Sequence, residues 1–466
     1  MNEVSPDLKT RSPWSTQFGV DRLMIEPVKK AVTGSLSVPG SKSYSNRALI
    51  IAALADGESR LGGILKSDDS YWCIDALQRL GVNVSLDGDS VTVQGCKGAW
   101  PTQTGTLFLG ASGTLARFLP GALAIAATGS WHLTSGARLA ERPLGPLLNC
   151  LRQLGAEFDY DDQEGRLPFT LTATGLTGGE VSISGDTSSQ FISGLLLCAP
   201  YAASDVRIHV TSPIVQQAYV KMTLNLMRQF GVDVKSDEDL REFVITPALY
   251  KGSDVVLEAD ASTSCYFLAL AAVTGGEVTV RNLPYATSQP DIGMVDLLER
   301  MGCTVVRTGP TVTLTGPPKA LGRPVLRGGF TVSMRAMSDQ AVTLAAIAPF
   351  ADAPITITEV AHIRAHESDR IHAICESLQR VGISVDEHED GLTVYPGQPQ
   401  FATLPSYDDH RIAMSLAVLA AAGEGAEILD PGCVSKTCPT YFDLLSELGV
   451  IVGGLPHLLD EKGQVE

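Results

Sequence analysis

Basic residues recur where the chain is set to begin helices. Lys42 and Arg47 lie in VPGSKSYSNRALI (residues 38–50), in which a glycine turn releases a serine-rich stretch and an apolar run follows. The first backbone N–H groups of a helix lack intrahelical partners and carry the positive end of its dipole, so a start of this composition is built to hold an anion. Arg117 follows in GASGTLAR, and Arg142 follows in ERPLG beside a proline-opened helix. Further on come Arg364, Glu367, Asp369 and Arg370 in HIRAHESDR, then His410 and Arg411 in YDDHR, and Lys436 in DPGCVSKT. A set of this size neutralises two phosphates and a carboxylate.

Each element also has an ordinary reading. His362 and His366 have the i,i+4 spacing of a metal pair, but no third ligand accompanies them, and no metal is expected. Glu367 and Arg370 are spaced i,i+3, as in a surface ion pair worth a few tenths of a kcal/mol. Asp339 stands where a helix cap would stand. GASGTLAR lacks both the G-K-[ST] of a Walker loop and the G-x-G-x-x-G of a dinucleotide site. These residues alone lead to a cleft for several anions, and no further.

The elements that must position them repeat. Leu/Met-x-x-apolar-Gly-apolar-x-apolar occurs six times, at residues 77–84, 151–158, 227–234, 298–305, 378–385 and 445–452. Each glycine (Gly81, Gly155, Gly231, Gly302, Gly382, Gly449) is placed to end an amphipathic helix before an alternating strand begins. Between the copies a second helix recurs with a polar start and an almost wholly apolar interior. Its six starts are at Ser41, Ala111, Ser188, Ala261, Met337 and Tyr407, and helices apolar on every side are buried. The pattern predicts an α/β chain of six units, each with one helix inside and sheets outside, grouped as three and three.

The junction in YKGSDVVLEAD (residues 250–260) places the domain boundary near residue 258. Residues 40–258 then form the first domain. A strand over residues 23–33, pairing with the last unit, makes the second domain discontinuous, as residues 21–39 plus 259–466. Two ends of buried-helix N-termini would face across a cleft, hinged near residues 39 and 258. Residues 1–20 read as a polar, loosely held N-terminal extension.

Composition excludes several classes. The net charge of −17 repels nucleic acid and acidic membranes. No apolar run reaches the roughly 18 residues that cross a bilayer. Glu3 and Asp7, with no apolar stretch beside them, speak against a signal or transit peptide, so the expected location is cytoplasmic. Nine scattered cysteines without a C-x-x-C pair suggest neither a disulfide framework nor a zinc knuckle.

Taken together, PGSKSYSNRAL, LFLGASGTLARF, ERPLG, GDTSSQF, DAST, ESDR, YDDHRIAMS and DPGCVSKTCPTYF resemble, in order and spacing, the 5-enolpyruvylshikimate-3-phosphate (EPSP) synthase family of enolpyruvyl transferases, from about residue 23 to 450. The resemblance implies a two-domain inside-out α/β barrel of six βαβαββ units. It also implies the reaction: phosphoenolpyruvate is protonated at its methylene carbon while the 5-hydroxyl of shikimate 3-phosphate attacks C2, and the tetrahedral intermediate expels phosphate. No cofactor is implied, and the default state is a monomer.

Carried over by position, Lys42, Gly113, Arg142, Gln190, Arg370, Arg411 and Lys436 match phosphoenolpyruvate-binding positions. Ser43, Arg47, Ser188, Ser189, Gln190, Tyr219, Asp339 and His366 match positions around shikimate 3-phosphate. Asp339 is the base expected for the acceptor hydroxyl. Glu367 and Lys42 are expected to serve the methylene and the leaving phosphate, and His410 lies near the reacting centre. Adding an alcohol to an enol ether requires an acid and a base in a site closed to water.

Four positions depart from the commoner family pattern: Ala111 and His362 for asparagine, Gln216 for serine, and His366 for lysine. Histidine, titrating near pH 6.5, makes phosphate binding depend more on pH than lysine does. Ala111 implies weaker inhibition by glyphosate than in members with asparagine. The runner-up is an enolpyruvyl transferase acting on another phosphorylated alcohol. The UDP-N-acetylglucosamine branch is disfavoured because no reactive loop cysteine stands between Leu107 and Arg142. The similar fold of RNA 3′-phosphate cyclases is opposed by the acidity, and a silent binding protein by the retained Lys42, Asp339 and Glu367.

Overall fold

The computed structural model describes residues 10–16, 19–320 and 323–455. These divide into two compact units, one comprising residues 10–13 and 40–257, the other residues 14–39 and 258–455. Each unit carries three four-stranded sheets of one design. Strand Thr104–Phe108 runs parallel to Gly129–Thr134, which pairs antiparallel with Phe169–Ala173, which in turn pairs with Glu157–Tyr160. Helix Gly113–Ala124 joins the two parallel strands, and helix Gly145–Gln153 leads to the hairpin. This is a βαβαββ unit, and the glycine ending its second helix, Gly155, has φ +114°. All six repeat glycines take positive φ, where a side chain would be strained.

The first helix of each unit is the inner one. Every residue of Gly113–Ala124 and Ala261–Thr274 is buried, as are residues 45–54 of Lys42–Leu54. An all-round apolar surface leaves such a helix no solvent face, whereas the strands alternate buried and exposed positions with the period of two that one-sided packing demands.

The repeats close by exchange along the chain. Strand Asp254–Val256, at the far end of the first unit, supplies the lead strand of its first sheet through a parallel pairing with Glu58–Gly62. The single strand expected over residues 23–33 is two strands. Arg22–Ile25 pairs antiparallel with Ala426–Leu429 in the sixth sheet, and Thr33–Leu36 pairs parallel with Glu277–Val280 in the fourth. Pro27 interrupts them, since it has no N–H to give a ladder.

Two further expectations are corrected. Of the extension expected over residues 1–20, residues 1–9, 17 and 18 lie outside the described residues, and residues 10–12 are not a loose tail: Thr10, Arg11 and Ser12 are all buried, with the Thr10 carbonyl held by Trp72 and the Ser12 amide by Asp68. Polar composition does not oppose burial once the main chain finds partners. The fifth inner helix does not begin at Met337, because residues Arg335–Gln340 form a 3-10 turn with non-helical Met337 and the α-helix is Ala341–Ile347. Among the described residues no helix is long and apolar enough to cross a membrane. All nine cysteines are free, eight of them buried.

Candidate functional site

In the first unit the opening turns of the three inner helices touch. Asn46 Nδ2 donates to Thr114 Oγ1 at 2.5 Å, and Arg47 Nη2 lies 3.4 Å from Ser193 Oγ. Arg47, expected beside the acceptor, is sunk to 1% exposure. Its Nε donates to Thr223 Oγ1 at 2.7 Å, its Nη1 donates to the Ser43 carbonyl at 2.8 Å, and its guanidinium lies 5.0 Å from the Phe118 ring centroid and 5.8 Å from that of Tyr219. Burial lowers its pKa to about 10, which still leaves it charged at neutral pH. A buried cation among neutral donors and rings is suited to an anionic ligand.

Lys42 opens helix Lys42–Leu54, and its Nζ lies 3.7 Å from Asp69 Oδ2, a carboxylate only 2% exposed. Ser41, at the N-cap, makes no side-chain capping bond. The first-turn N–H groups are therefore not taken up by it. Gly113 begins helix Gly113–Ala124, where a Cβ would lie 2.7 Å from Arg117 Nη1 and 3.0 Å from Arg142 Nη1. A side chain here would push back the two guanidinium groups that close on this helix start. Ser188 caps helix Ser189–Cys198 by accepting from the Gln190 amide at 3.3 Å, while Gln190 Oε1 is buried with no hydrogen-bond partner among the described residues. Ser189 is buried beside it, and Tyr219 lies on helix Ala218–Gln229.

In the second unit six of the expected residues form one network centred on Arg370. Its Nε donates to Asp409 Oδ2, its Nη1 to Asp339 Oδ1 and its Nη2 to Glu367 Oε2, each at 2.8 Å. Nη1 also donates to His366 Nδ1 at 3.0 Å, and Nη2 reaches Asp409 Oδ1 at 3.3 Å. The five guanidinium donors are thus all engaged. Burial pulls the Arg370 pKa down, but Asp409, Glu367 and Asp339 outweigh it and hold the value above that of an ordinary arginine. The other two cations complete the set: Arg411 Nη2 lies 2.8 Å from Asp339 Oδ2, and Lys436 Nζ lies 2.8 Å from Glu367 Oε1. Three carboxylates meet three cations, so the network is formally neutral.

This geometry replaces several ordinary readings. Asp339 is not a helix cap, since its two oxygens face Arg370 and Arg411. Glu367 and Arg370 are not a surface pair, with side chains 14% and 2% exposed. His362 and His366 stack edge to face at 5.7 Å with separate partners: His362 Nε2 lies 2.8 Å from Ser338 Oγ, and His366 Nδ1 lies 3.0 Å from Arg370 Nη1. Because guanidinium only donates, this contact is a hydrogen bond only when Nδ1 presents its lone pair to Arg370. Burial lowers the His362 pKa. Among the described residues no group of three or more His, Cys, Asp or Glu is placed to hold a metal ion. His410 is buried, with Nδ1 3.8 Å from Asp409 Oδ1, beyond hydrogen-bond length.

Sequence reasoning missed two residues. Asp409 both caps helix His410–Ala422 and holds Arg370, and Asp69 faces Lys42. Arg364 grips Asp369 at 2.9 Å and Glu387 at 2.8 Å, fixing the segment that carries His366 and Glu367. The signals were acidic residues at helix starts, in Asp408-Asp409 and in Ser67-Asp68-Asp69.

A family model described as EPSP synthase (3-phosphoshikimate 1-carboxyvinyltransferase) matches residues 27–445. A 3-phosphoshikimate 1-carboxyvinyltransferase 2 from Halalkalibacterium halodurans is 52% identical over 448 residues, covering 96% of this chain and 98% of its own. The chloroplastic 3-phosphoshikimate 1-carboxyvinyltransferase of Arabidopsis thaliana is 40% identical over 460 residues, covering 96% of this chain and 88% of its own. Among solved structures, an EPSP synthase from Acinetobacter baumannii superposes with a TM-score of 0.78 at 24% identity, covering 93% of this chain and 99% of that one. The enolpyruvyl transferase NikO from Streptomyces tendae gives 0.72 at 18% identity over 92% of this chain and 98% of its own. These two likenesses establish the inside-out α/β fold.

Proposed function

The chain belongs to the EPSP synthase family, and from that premise we propose which of its residues carry the reaction. The protein is a 3-phosphoshikimate 1-carboxyvinyltransferase: it transfers the enolpyruvyl group of phosphoenolpyruvate to shikimate 3-phosphate in the shikimate pathway. In the proposed assignment, Asp339 takes the proton of the attacking 5-hydroxyl. Glu367, protonated once the incoming anion has displaced it from Arg370 and Lys436, delivers that proton to the methylene carbon and takes one back from the resulting methyl group as the tetrahedral intermediate collapses. Lys42 stands by the phosphate, which leaves with the C2–O electron pair and carries away the proton that Asp339 took from the hydroxyl. Each proton has a named donor and acceptor, and the net products are the enolpyruvyl ether and inorganic phosphate.

The observation that carries the assignment is the placing of Glu367 between two cations, Oε2 at 2.8 Å from Arg370 and Oε1 at 2.8 Å from Lys436. An incoming carboxylate or phosphate offers those cations what Glu367 and Asp339 now give them. Ligand binding thus exchanges partners within the network and frees both carboxylates for proton transfer. Arg142, Gln190, Arg411 and Gly113 complete the proposed donor set. Ser43, Arg47, Ser188, Ser189, Tyr219 and His366 hold the acceptor. We also propose a cytoplasmic monomer without nucleic-acid or membrane partners, and weak inhibition by glyphosate because of Ala111.

The test is phosphate release from phosphoenolpyruvate and shikimate 3-phosphate between about pH 5.5 and 9, around the reference pKa of histidine, with Lys42→Ala beside the wild type. Loss of at least about a hundredfold in kcat supports the assignment. An active Lys42→Ala overturns it.

A further inference from the structure

We infer that residues 10–12 are a positioning strap for Lys42, an inference that rests on the place given to Lys42 in the proposed site. The strap is held by its backbone. The Ser12 amide donates to Asp68 Oδ1 at 2.8 Å, and the Thr10 carbonyl accepts from Trp72 Nε1 at 3.0 Å. Asp68 and Trp72 lie on helix Asp68–Arg79, with Asp69, the carboxylate opposite Lys42, in the same first turn. The strap is buried, Thr10 at 6% and Ser12 at 2% exposure, and Asp69 behind it is 1% exposed.

The strap also bears on the loop that leads to Gly113. Thr10 packs so closely on Gly136 that a Cβ there would lie 2.3 Å from its Cγ2. The Gly136 amide donates to the Gly110 carbonyl at 2.9 Å, and Trp72 covers Gly110, where a Cβ would meet the indole at 2.2 Å. Two hydrogen bonds from an otherwise polar segment therefore fix both the acidic turn facing Lys42 and the turn entering helix Gly113–Ala124. A buried carboxylate orients an ammonium only while its own helix turn is held still, and positioning errors of about 1 Å cost on the order of a hundredfold in rate. The three inner helices do not depend on the strap for their cores, so the unit should fold without it.

The experiment removes residues 1–13 and reads kcat, KM for both substrates and tryptophan emission, with a double-mutant cycle against Lys42→Arg. The expected result is a kcat at least about tenfold lower, a red shift in emission as Trp72 loses its cover, and a truncation effect of less than about twofold in the Lys42→Arg background. Should the truncated chain not fold, Ser12→Pro deletes the N–H given to Asp68 together with the Ser12 hydroxyl, at a position already biased toward extended backbone by Pro13; the same fall in kcat is expected. Unaltered kcat in either variant overturns the strap, as does a truncation effect of equal size in both backgrounds, which marks a purely structural role. Lys42→Ala separates the premises: if it is inactive while the truncation leaves kcat unaltered, the strap alone fails. If it stays active, the site assignment fails and the strap's role with it.

Discussion

Arg370 and Asp409 meet with Nε 2.8 Å from Oδ2, their side chains 2% and 0% exposed. The same carboxylate accepts from the Arg411 amide at 3.0 Å as the cap of helix His410–Ala422. Arg411 in turn reaches Asp339, so one buried acid aligns two of the cations of the proposed site. Asp409→Ala should leave Arg370 short of a partner in a dry site and destabilise the protein by about 3–5 kcal/mol. Asp409→Asn, which keeps a capping oxygen, should cost less, about 1–2 kcal/mol. Urea denaturation with both variants checks the order. Equal midpoints for Asp409→Ala and the wild type would contradict the buried pair.

Glu367 separates binding from chemistry. Glu367→Gln withdraws the negative charge from between Arg370 and Lys436, leaving both cations freer for an anionic ligand. We expect kcat to fall by about a hundredfold or more with loss of the proton carrier, while phosphoenolpyruvate binds as tightly as before or tighter. Calorimetric titration beside steady-state kinetics gives both quantities. A weaker ligand together with an unchanged kcat would reverse the assignment.

His366 is neutral while Arg370 donates to its Nδ1. Protonation turns that nitrogen into a donor facing a guanidinium, so it requires Arg370 to move or a phosphate to arrive. Asp339 Oδ1, 4.0 Å away, favours the proton, whereas the Arg370 guanidinium disfavours it. KM for shikimate 3-phosphate should therefore rise as pH increases through the ordinary histidine range near 6.5. His366→Lys should flatten that rise. Initial rates at saturating phosphoenolpyruvate across the range make the comparison.

Asp291 reports on the second unit's interior. Burial, then the nearby Asp339 charge, pushes its pKa up to about 7, and Ser262 Oγ donates to its carboxylate. A carboxyl group that binds its proton more tightly folded than unfolded stabilises most at low pH, and that contribution is lost as pH rises. Stability should decline between about pH 4 and 7 with a slope of up to about 1.4 kcal/mol per pH unit from this group. Asp291→Asn should remove that slope. Denaturation midpoints at four or five pH values decide it.

The sixfold repeat was legible because it depends on local rules: a glycine where a helix must turn, and an apolar run where a helix has no wet face. Gly81 and Gly449, far apart in sequence, take φ +86° and +84° for the same reason. The split of residues 22–36 between two sheets was not legible, since both strands are only four residues long and only tertiary closure decides their partners. The site was legible as residue types and hidden as pairings. Arg370 announces a cation, but nothing local reveals that Asp409, 39 positions later, holds its Nε. The burial of residues 10–12 left no sequence signal, because main-chain groups of Thr10 and Ser12 make the contacts.

Ala111 offers a last test. It precedes Ser112, the cap of helix Gly113–Ala124, whose side chain accepts from the Leu115 amide at 3.4 Å. An asparagine at 111 would bring an amide donor toward the helix start where Arg117 and Arg142 crowd Gly113. A hydrogen bond to a charged ligand contributes about 1.5–3 kcal/mol, or roughly ten- to a hundredfold in affinity. Ala111→Asn should therefore lower the inhibition constant for glyphosate, an anion of the same size class as phosphoenolpyruvate, by about that factor, while moving KM for phosphoenolpyruvate less. Inhibition measured at several phosphoenolpyruvate concentrations separates the two constants. Glyphosate sensitivity unchanged by the asparagine would place the determinant elsewhere among the donor residues, with Arg142 and Gln190 the next to vary.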